Sequence, residues 1–189
     1  MILVVMIKTP RLTLREFTLE DFDAVHAYAS DLSVVKYMTW GPNTMEETRR
    51  FIIGALNKKL EDPRLIYELA VTLNGELIGG CGLTVTNQEE RLGEIGYCLR
   101  PDMWRRGLGT ETCAGLIYYG FKGLDLSKLT AKCDVKNEAS FRVMEKNGML
   151  REGRLVKNMK IQGTNRDCYI YGITFNDWSN NVSLAFSFS

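Results

Sequence analysis

Histidine is nearly absent from this sequence of 189 residues: it occurs once, as His26. Without a second histidine, neither a histidine-rich metal site nor a serine–histidine catalytic triad has support. His26 lies in a predicted helix away from the segments that carry chemistry, so we expect it to have a structural role. We also expect the protein to hold no metal ion.

The sequence also lacks an excess of charge and a long apolar run. Its 24 basic and 23 acidic residues give a net charge of +1, which offers no electrostatic footprint for nucleic acid or an anionic membrane. No run reaches the roughly 18 apolar residues that a membrane-spanning helix needs. The apolar residues 1–7 are too few for a secretion signal and lack a basic segment. We therefore expect a cytoplasmic protein that binds neither nucleic acid nor membrane.

Paired cysteines are missing as well. The five cysteines are odd in number and form no CxxC pair, which argues against a zinc ribbon. Four lie in apolar, strand-like stretches and one in a helix-like stretch, as expected for buried free thiols in a reducing compartment. They are Cys81, Cys98, Cys113, Cys133 and Cys168.

What the sequence does contain is the pattern of a single domain over residues 1–189. Alternation and turn signals predict seven strands, at residues 11–17, 65–73, 76–85, 91–99, 129–135, 153–161 and 167–175. Capping signals and apolar spacing predict four helices, two starting after Thr18 and Thr44 and two spanning about 110–122 and 138–147. Helices and strands alternate only in the second half, which favours the α/β (α+β) class with a mixed, mostly antiparallel sheet.

Residues 104–111, with the sequence WRRGLGTE, lie between a strand and a helix. A glycine-rich turn at a helix start points backbone N–H groups outward and, with the helix dipole, forms a site for phosphate or pyrophosphate. Gly107 and Gly109 allow close approach, and Arg105 and Arg106 add positive charge. A strand-to-helix turn that merely requires glycine has the same pattern. No Gly-Lys-Ser/Thr follows, and a third glycine is missing, so neither a nucleoside-triphosphate loop nor a dinucleotide fingerprint applies.

Glu94 is a carboxylate in an otherwise apolar strand just before this turn. Partial burial would raise its pKa toward the range of a general base, although an edge-facing or salt-bridged glutamate has the same pattern. Gly96 is expected to mark a bulge that frees backbone groups for a ligand.

Asn137 and Ser140 open a later predicted helix that stops at Gly148. Asn137 suits the N-cap of that helix, and Gly148 suits its left-handed end. Ser140, one turn into the helix, is placed to present its hydroxyl to a ligand between neighbouring strands.

These segments together resemble the GNAT superfamily of acyl-CoA-dependent N-acyltransferases, and within it the RimJ/RimL-like ribosomal-protein N-terminal acetyltransferases. The resemblance runs from about Thr9 to Trp178. Its motifs are TPRLTLR (9–15), LIGGCG (77–82), EIGY (94–97), WRRGLGTE (104–111), NEAS (137–140), EKNG (145–148), REG (151–153) and RD (166–167). Trp104 stands where the superfamily often has Gln or Arg, at a position that contributes mainly backbone. The tail, residues 179–189, lies outside the resemblance and is compatible with an added strand, an oligomer contact or disorder.

The resemblance implies a GNAT-like sheet of about seven strands whose central strands splay apart, with about four helices. Acetyl-CoA would lie in the gap between the strand ending near Leu99 and the strand 129–135. Its pyrophosphate would bind backbone N–H groups of residues 106–110. The implied acetyl-CoA contacts are Tyr97, Cys98, Leu99, Arg105, Arg106, Gly107, Leu108, Gly109, Thr110, Asn137 and Ser140.

The resemblance also implies a mechanism. Asn137 would hydrogen-bond the pantetheine arm, and Ser140 would protonate or stabilise the leaving thiolate. Glu94 would take the amine proton through water, and a strand amide at residues 97–99 would polarise the thioester carbonyl. Transfer would be direct, within a ternary complex, without an acyl-enzyme or a nucleophilic cysteine.

Three functions remain open from the sequence. The acceptor is a protein N-terminal amine, or a small amine such as a polyamine, an amino acid or an aminoglycoside, or the chain is a CoA-binding module without turnover. The helices between Asp21 and Glu61 and the turn 162–166 would line the acceptor pocket. A homodimer is compatible with the sequence, which does not determine the oligomeric state.

Overall fold

The computed structural model describes residues 4–180 and 187–188, the last two by their backbone alone. Nine strands and six α-helices lie in this part of the chain. The strands are β1 (Met6–Lys8), β2 (Leu12–Glu16), β3 (Ile66–Leu73), β4 (Glu76–Asn87), β5 (Leu92–Leu99), β6 (Lys128–Asp134), β7 (Leu150–Ile161), β8 (Thr164–Thr174) and β9 (Ser187–Phe188). The helices are α1 (Phe22–Ala29), α2 (Leu32–Val35), α3 (Met45–Lys58), α4 (Leu108–Lys122), α5 (Glu138–Lys146) and α6 (Phe175–Ser179).

The strands form one sheet in the order β7-β8-β6-β5-β4-β3-β2-β1-β9. All neighbouring strands are antiparallel except β5 and β6, which run parallel. The predicted mixed, mostly antiparallel sheet is therefore confirmed, and its seven predicted strands correspond to β2–β8. The additional strands and helices, β1, β9, α2 and α6, have two to five residues each. Such short elements cannot show a hydrophobic period.

The tail predicted to lie outside the resemblance contributes one of these short elements. Ser187 and Phe188 pair antiparallel with β1, so an added strand is present at the sheet edge. The other two alternatives for the tail, an oligomer contact and disorder, concern residues 181–186 and 189, which lie outside the described residues.

The parallel pair β5 and β6 separates partway along its length. Leu92, Gly93 and Glu94 pair with residues 128–130, and the pairing stops there. Residues 95–99 of β5 continue to pair with β4 alone, while residues 131–134 of β6 pair with β8. The predicted splay of the central strands is therefore present, and it opens immediately after Glu94.

Helices cover both faces of the sheet. On one face α4 buries Cys113, Leu116 and Ile117 in a core that includes the inward side chains of β2–β6. Each large apolar side chain buried in this way stabilises the fold by about 1.5–3 kcal/mol. On the other face α1 and α3 form a smaller core around Tyr28 and Ile52, and this smaller core leaves room for a cavity over β3–β5.

The predicted caps and turns are largely confirmed. Thr44 Oγ1 accepts the N–H of Glu47 (3.2 Å), while the Glu47 carboxylate accepts the N–H of Thr44 (2.7 Å), which completes a capping box. Asn74 and Gly75 both have positive φ in the β3–β4 hairpin, and Gly148 has φ +77° after α5. The last hairpin differs slightly from the prediction, because it turns at residues 162–163 and Thr164 already belongs to β8.

The five cysteines are free, and all except the half-buried Cys98 are buried. Within residues 4–180, no helix combines the length and the apolar character that crossing a bilayer requires.

Candidate active site

The turn before α4 has the backbone geometry of an anion-binding loop. Gly107 precedes the helix in a left-handed conformation (φ +76°). The N–H groups of Leu108, Gly109 and Thr110 have no acceptor among the described residues. Arg105 and Arg106 are exposed beside them. Unpaired N–H groups at the positive end of a helix dipole bind anions, so this turn can hold a phosphate.

Glu111, in the first turn of α4, fixes the turn against the β1–β2 hairpin. Its carboxylate accepts hydrogen bonds from Thr9 Oγ1 (2.6 Å) and the N–H of Arg11 (2.7 Å), and it pairs with Arg11 Nε (2.6 Å). Arg11 also donates to the carbonyl oxygen of Arg106 (3.0 Å). Burial opposes ionisation of Glu111, but the hydrogen bonds from Thr9 and Arg11 outweigh it and lower its pKa. No role was predicted for Thr9, Arg11 or Glu111 from the sequence, because Glu111 lies about 100 positions from the other two.

Two further side chains hold the turn in place. The indole N–H of Trp104 donates to the carbonyl oxygen of Leu99 (2.8 Å), which ties the turn to the end of β5. Asn147, at the end of α5, donates to the carbonyl oxygen of Thr110 (3.1 Å). Trp104, which was expected to contribute mainly backbone, therefore also makes a side-chain contact.

A cavity of about 340 Å³ lies in the gap between β5 and β6, and we call it the splay cavity. Residues 94–97 and 131–133 form its walls, and Asn137 and Ser140 of α5 line it. Asn137 is the predicted N-cap, since its Oδ1 accepts the N–H of Ser140 (3.2 Å). The Tyr97 hydroxyl donates to the Ser140 carbonyl oxygen (3.2 Å) and lies 3.5 Å from Ser140 Oγ. Two hydroxyl groups therefore lie together beside the splay.

The backbone of β5 presents N–H groups to this gap. The N–H of Arg100 donates to Ile78 on β4 (2.8 Å), and N–H groups alternate between the two sides of a strand. The N–H groups of Tyr97 and Leu99 therefore point away from β4, into the splay. The side chain of Cys98, which lies between Tyr97 and Leu99 in the strand, packs against the core of α1 and α3.

A second cavity of about 990 Å³ lies on the face of the sheet covered by α1 and α3, and we call it the helix-side cavity. Tyr28 lines it from α1, Glu47 and Arg50 line it from α3, and β3–β5 form its floor. The helices between Asp21 and Glu61, which were predicted to line the acceptor pocket, line this cavity through α1 and α3. The turn 162–166 lines neither described cavity, because β7 runs past the site and only its residues 158–159 reach the splay cavity.

The two cavities share residues 94–97, and Glu94 lies at their junction. Its side chain is 36% exposed and pairs with Lys132 Nζ of β6 at 2.7 Å. The salt-bridged alternative from the sequence is thus present, at a position that faces both cavities.

The prediction of a bulge at Gly96 is wrong, since Gly96 pairs in regular register with Gly82. The end of the β5–β6 ladder frees backbone groups instead.

Glu68 is a cavity residue that sequence reasoning missed. It lies on β3, lines the helix-side cavity and has neither a hydrogen-bond nor an ion-pair partner among residues 4–180. Burial raises its pKa to about 7. The signal was a carboxylate in the apolar strand 65–73, the same signal that singled out Glu94.

His26 lines neither of the two cavities. Its Nδ1 lies 3.0 Å from Thr48 Oγ1 and its ring stacks on Phe22, in keeping with the structural role expected of it. The described part of the chain contains no group of histidine, cysteine and carboxylate side chains arranged to hold a metal ion.

Comparison with known proteins places this site in a family. The model of the acetyltransferase (GNAT) domain matches residues 11–150. The chain belongs to the GNAT acetyltransferase family. An uncharacterized N-acetyltransferase of Bacillus licheniformis is 35% identical over 166 residues, which are 87% of this chain and 93% of that protein. A spermidine N(1)-acetyltransferase of Escherichia coli is 28% identical over 82% of this chain and 81% of its own length.

Solved structures agree with this GNAT assignment. A GNAT-family acetyltransferase from Bacillus anthracis is 34% identical and has a TM-score of 0.78, over 89% of this chain and 98% of that one. Two neighbours of lower identity share the fold. The Vibrio cholerae spermidine N-acetyltransferase bound to CoA and spermine has 23% identity and a TM-score of 0.78, over 90% and 99% of the two chains. RimL, the ribosomal L7/L12 acetyltransferase, has 21% identity and a TM-score of 0.81, over 92% and 96%.

The protein is therefore an N-acetyltransferase, and GNAT acetyltransferases use acetyl-CoA. The chain has unpaired N–H groups at residues 108–110, which can hold a phosphate, and the splay cavity between β5 and β6.

Proposed function

We propose that this GNAT acetyltransferase transfers the acetyl group to a primary amine by direct attack, with both substrates bound at once. The observation that carries this proposal is the meeting of the two cavities at residues 94–97. A thioester lying in the splay cavity and an amine entering from the helix-side cavity would come together at this segment of β5.

The donor half of the site consists of the α4 turn and the splay. Residues 106–110 bind the pyrophosphate through backbone N–H groups, with Arg105 and Arg106 adding charge at the rim. The Asn137 side chain already caps α5 through its oxygen, so its amide N–H groups remain as donors for the pantetheine arm. Leu99, the last residue of β5, contacts the arm through its backbone.

At the reacting centre, the N–H of Tyr97 or Leu99 donates to the thioester oxygen as it gains negative charge. Ser140, with the Tyr97 hydroxyl beside it, protonates or stabilises the leaving thiolate. Glu94 takes a proton from the reacting nitrogen through water, because that nitrogen must lose a proton to become an amide. Glu94 lies at the cavity junction, where this step must occur.

Burial of the thiols supports direct transfer over an acyl-enzyme. It raises the pKa of Cys98 and of Cys133 to about 12. A thiol must ionise to act as a nucleophile, and these two cysteines near the site remain protonated at neutral pH.

The helix-side cavity supports a cationic acceptor. Among the described residues, three carboxylates line it, from Glu47, Glu68 and Glu94, against the one guanidinium of Arg50. An ammonium group is attracted to such a surface, and both protein N-termini and small amines carry one. The spermidine acetyltransferase relatives and RimL represent these two acceptor classes.

Thiol release from acetyl-CoA tests the proposal. The purified protein is incubated with acetyl-CoA and either N-terminal peptides or small amines, namely spermidine, an aminoglycoside and amino acids. We expect amine-dependent release of CoA and an acetylated acceptor by mass spectrometry. Binding of acetyl-CoA without thiol release for any amine would favour the CoA-binding module instead.

A further inference from the structure

We propose that Glu68 is a second proton acceptor of the active site, which removes the proton of the incoming ammonium before the amine attacks. This inference rests on the proposed function and adds to it a residue outside the GNAT-like motifs of the sequence. It follows from the cross-strand geometry of β3, β4 and β5.

The acceptor nitrogen loses two protons in the reaction. An ammonium that becomes a secondary amide loses two protons from its nitrogen, and Glu94 accounts for one of them. In the first step an N–H bond of the ammonium breaks and the proton passes to the Glu68 carboxylate, which leaves a neutral amine. The nitrogen then bonds to the thioester carbon, and the nitrogen loses its second proton to Glu94 through water. The carbon–sulfur bond breaks as the thiolate gains a proton from Ser140, which solvent restores. Glu68 and Glu94 return their protons to solvent.

The strand register places Glu68 on a direct line to the reacting segment. Glu68 of β3 lies opposite Gly82 of β4, and Gly82 lies opposite Gly96 of β5. A Cβ atom at Gly82 would lie 3.0 Å from Glu68 Oε2, so the carboxylate extends over Gly82. A Cβ atom at Gly96 would have no neighbour within 4 Å, so the floor beyond is open.

These contacts bring the carboxylate close to where the amine must stand. Neighbouring strands are about 4.8 Å apart, so the Glu68 oxygens above Gly82 lie about one strand spacing from Gly96. Gly96 belongs to the segment that both cavities share. An amine resting on Gly96 is therefore within reach of Glu68 directly or through one water molecule.

The two carboxylates differ in their partners, which supports a division of roles. Glu94 pairs with Lys132, whereas Glu68 has no partner among the described residues. Burial holds the pKa of Glu68 at about 7, near the value at which a base both exists at neutral pH and binds a proton well.

Three neighbouring groups have pKa values that burial moves away from this pH range. Burial raises the pKa of Tyr28 on α1 and of Cys81 on β4 well above their ordinary values, and raises that of Cys98 on β5 to about 12. Two charged groups line the same cavity from α3: the carboxylate of Glu47 and the guanidinium of Arg50.

Initial rates of wild type and Glu68→Gln against pH, with a series of accepted primary amines, test this role. The amines have pKa values from about 8 to about 10. We expect kcat/KM to fall by about 10²-fold for the most basic amine at pH 7. The deficit should shrink for less basic amines and at high pH, because the acceptor amine then enters the site in its neutral form.

Two variants serve as comparisons. Glu94→Gln should show a deficit that persists at high pH. Glu61→Gln, which replaces an exposed carboxylate paired with Lys58, should behave as wild type.

A deficit of Glu68→Gln that is independent of amine pKa, or an unchanged pH profile, would overturn the proposal. A readout without turnover accompanies the kinetics: the carboxyl carbon of Glu68, followed by NMR, should titrate near pH 7 in wild type and in Glu94→Gln. Titration of that carbon near pH 4 would also overturn it. Failure of the proposed function is distinct, because wild type itself would then release no CoA.

Discussion

At the scale of one residue, Gly107 tests the proposal that the turn before α4 binds acetyl-CoA. Its φ of +76° lies in the left-handed region, where a β-branched residue is disfavoured by roughly 1–2 kcal/mol. We expect Gly107→Val to lose measurable acetyl-CoA binding, because the turn would rearrange and its N–H groups would no longer converge. Calorimetric titration checks this, with wild type expected to bind at micromolar concentration, or about −8 kcal/mol.

Gly75→Val is a matched control for this substitution. Gly75 also has positive φ (+86°), and a Cβ there meets nothing within 4 Å, but it lies in the remote β3–β4 hairpin. The control should lose similar stability and bind acetyl-CoA normally. Normal binding by a folded Gly107→Val protein would remove the turn from the site.

Glu68 also makes stability depend on pH. Burial raises its pKa from 4.5 to about 7 in the folded state, so the folded protein holds a proton that the unfolded chain has released. The contribution of this proton to the free energy of unfolding is fully present below pH 4.5 and is lost as pH rises through 7. The difference in unfolding free energy between wild type and Glu68→Gln should therefore shift by about 3 kcal/mol in favour of the variant from pH 4 to pH 8.

Denaturant unfolding at a series of pH values measures this difference. A constant difference between the two proteins over this range would mean that Glu68 ionises like an exposed glutamate.

At the scale of elements, Glu111 fixes the position of α4 relative to the β1–β2 hairpin. Replacing it with Gln removes the charge that Arg11 and Thr9 bind. We expect Glu111→Gln to weaken acetyl-CoA binding about tenfold, or about 1.4 kcal/mol, although Glu111 has no proposed contact with acetyl-CoA. Calorimetry on the variant and on Glu61→Gln checks this, and equal affinities would show that the turn holds its shape without the contact.

The strand β5 provides the floor on which we place the amine. A Cβ atom at Gly96 would enter the open space of the helix-side cavity without a clash. We expect Gly96→Ala to raise the KM of the acceptor about tenfold, or about 1.4 kcal/mol, with acetyl-CoA affinity unchanged. Gly54→Ala on α3 is the control, because a Cβ there also meets nothing within 4 Å. An unaltered acceptor KM would place the amine elsewhere.

The elements that the sequence predicted are those with several turns or alternations of pattern. The seven long strands and four long helices follow from period and caps, whereas β1, α2, α6 and β9 are too short for a period. Asn137 was predicted as an N-cap because capping depends on residues three positions apart. The contacts of Glu94 with Lys132 and of Glu111 with Arg11 span 38 and 100 positions, so only the folded sheet reveals them.

Across the whole molecule, the proposed direct transfer depends on one topological feature. The parallel pair β5–β6 stops at Glu94, and the splay beyond it opens one cavity while α1 and α3 leave another on the opposite side of the same residues. A donor and an acceptor can therefore be bound together, and neither needs to leave before the other enters.

Initial-rate kinetics with both substrates varied test this directly. At several fixed concentrations of an accepted amine, reciprocal plots of rate against acetyl-CoA concentration should intersect, as a ternary complex requires. Parallel lines would instead indicate a ping-pong mechanism with an acetylated enzyme, and they would contradict direct transfer at residues 94–97.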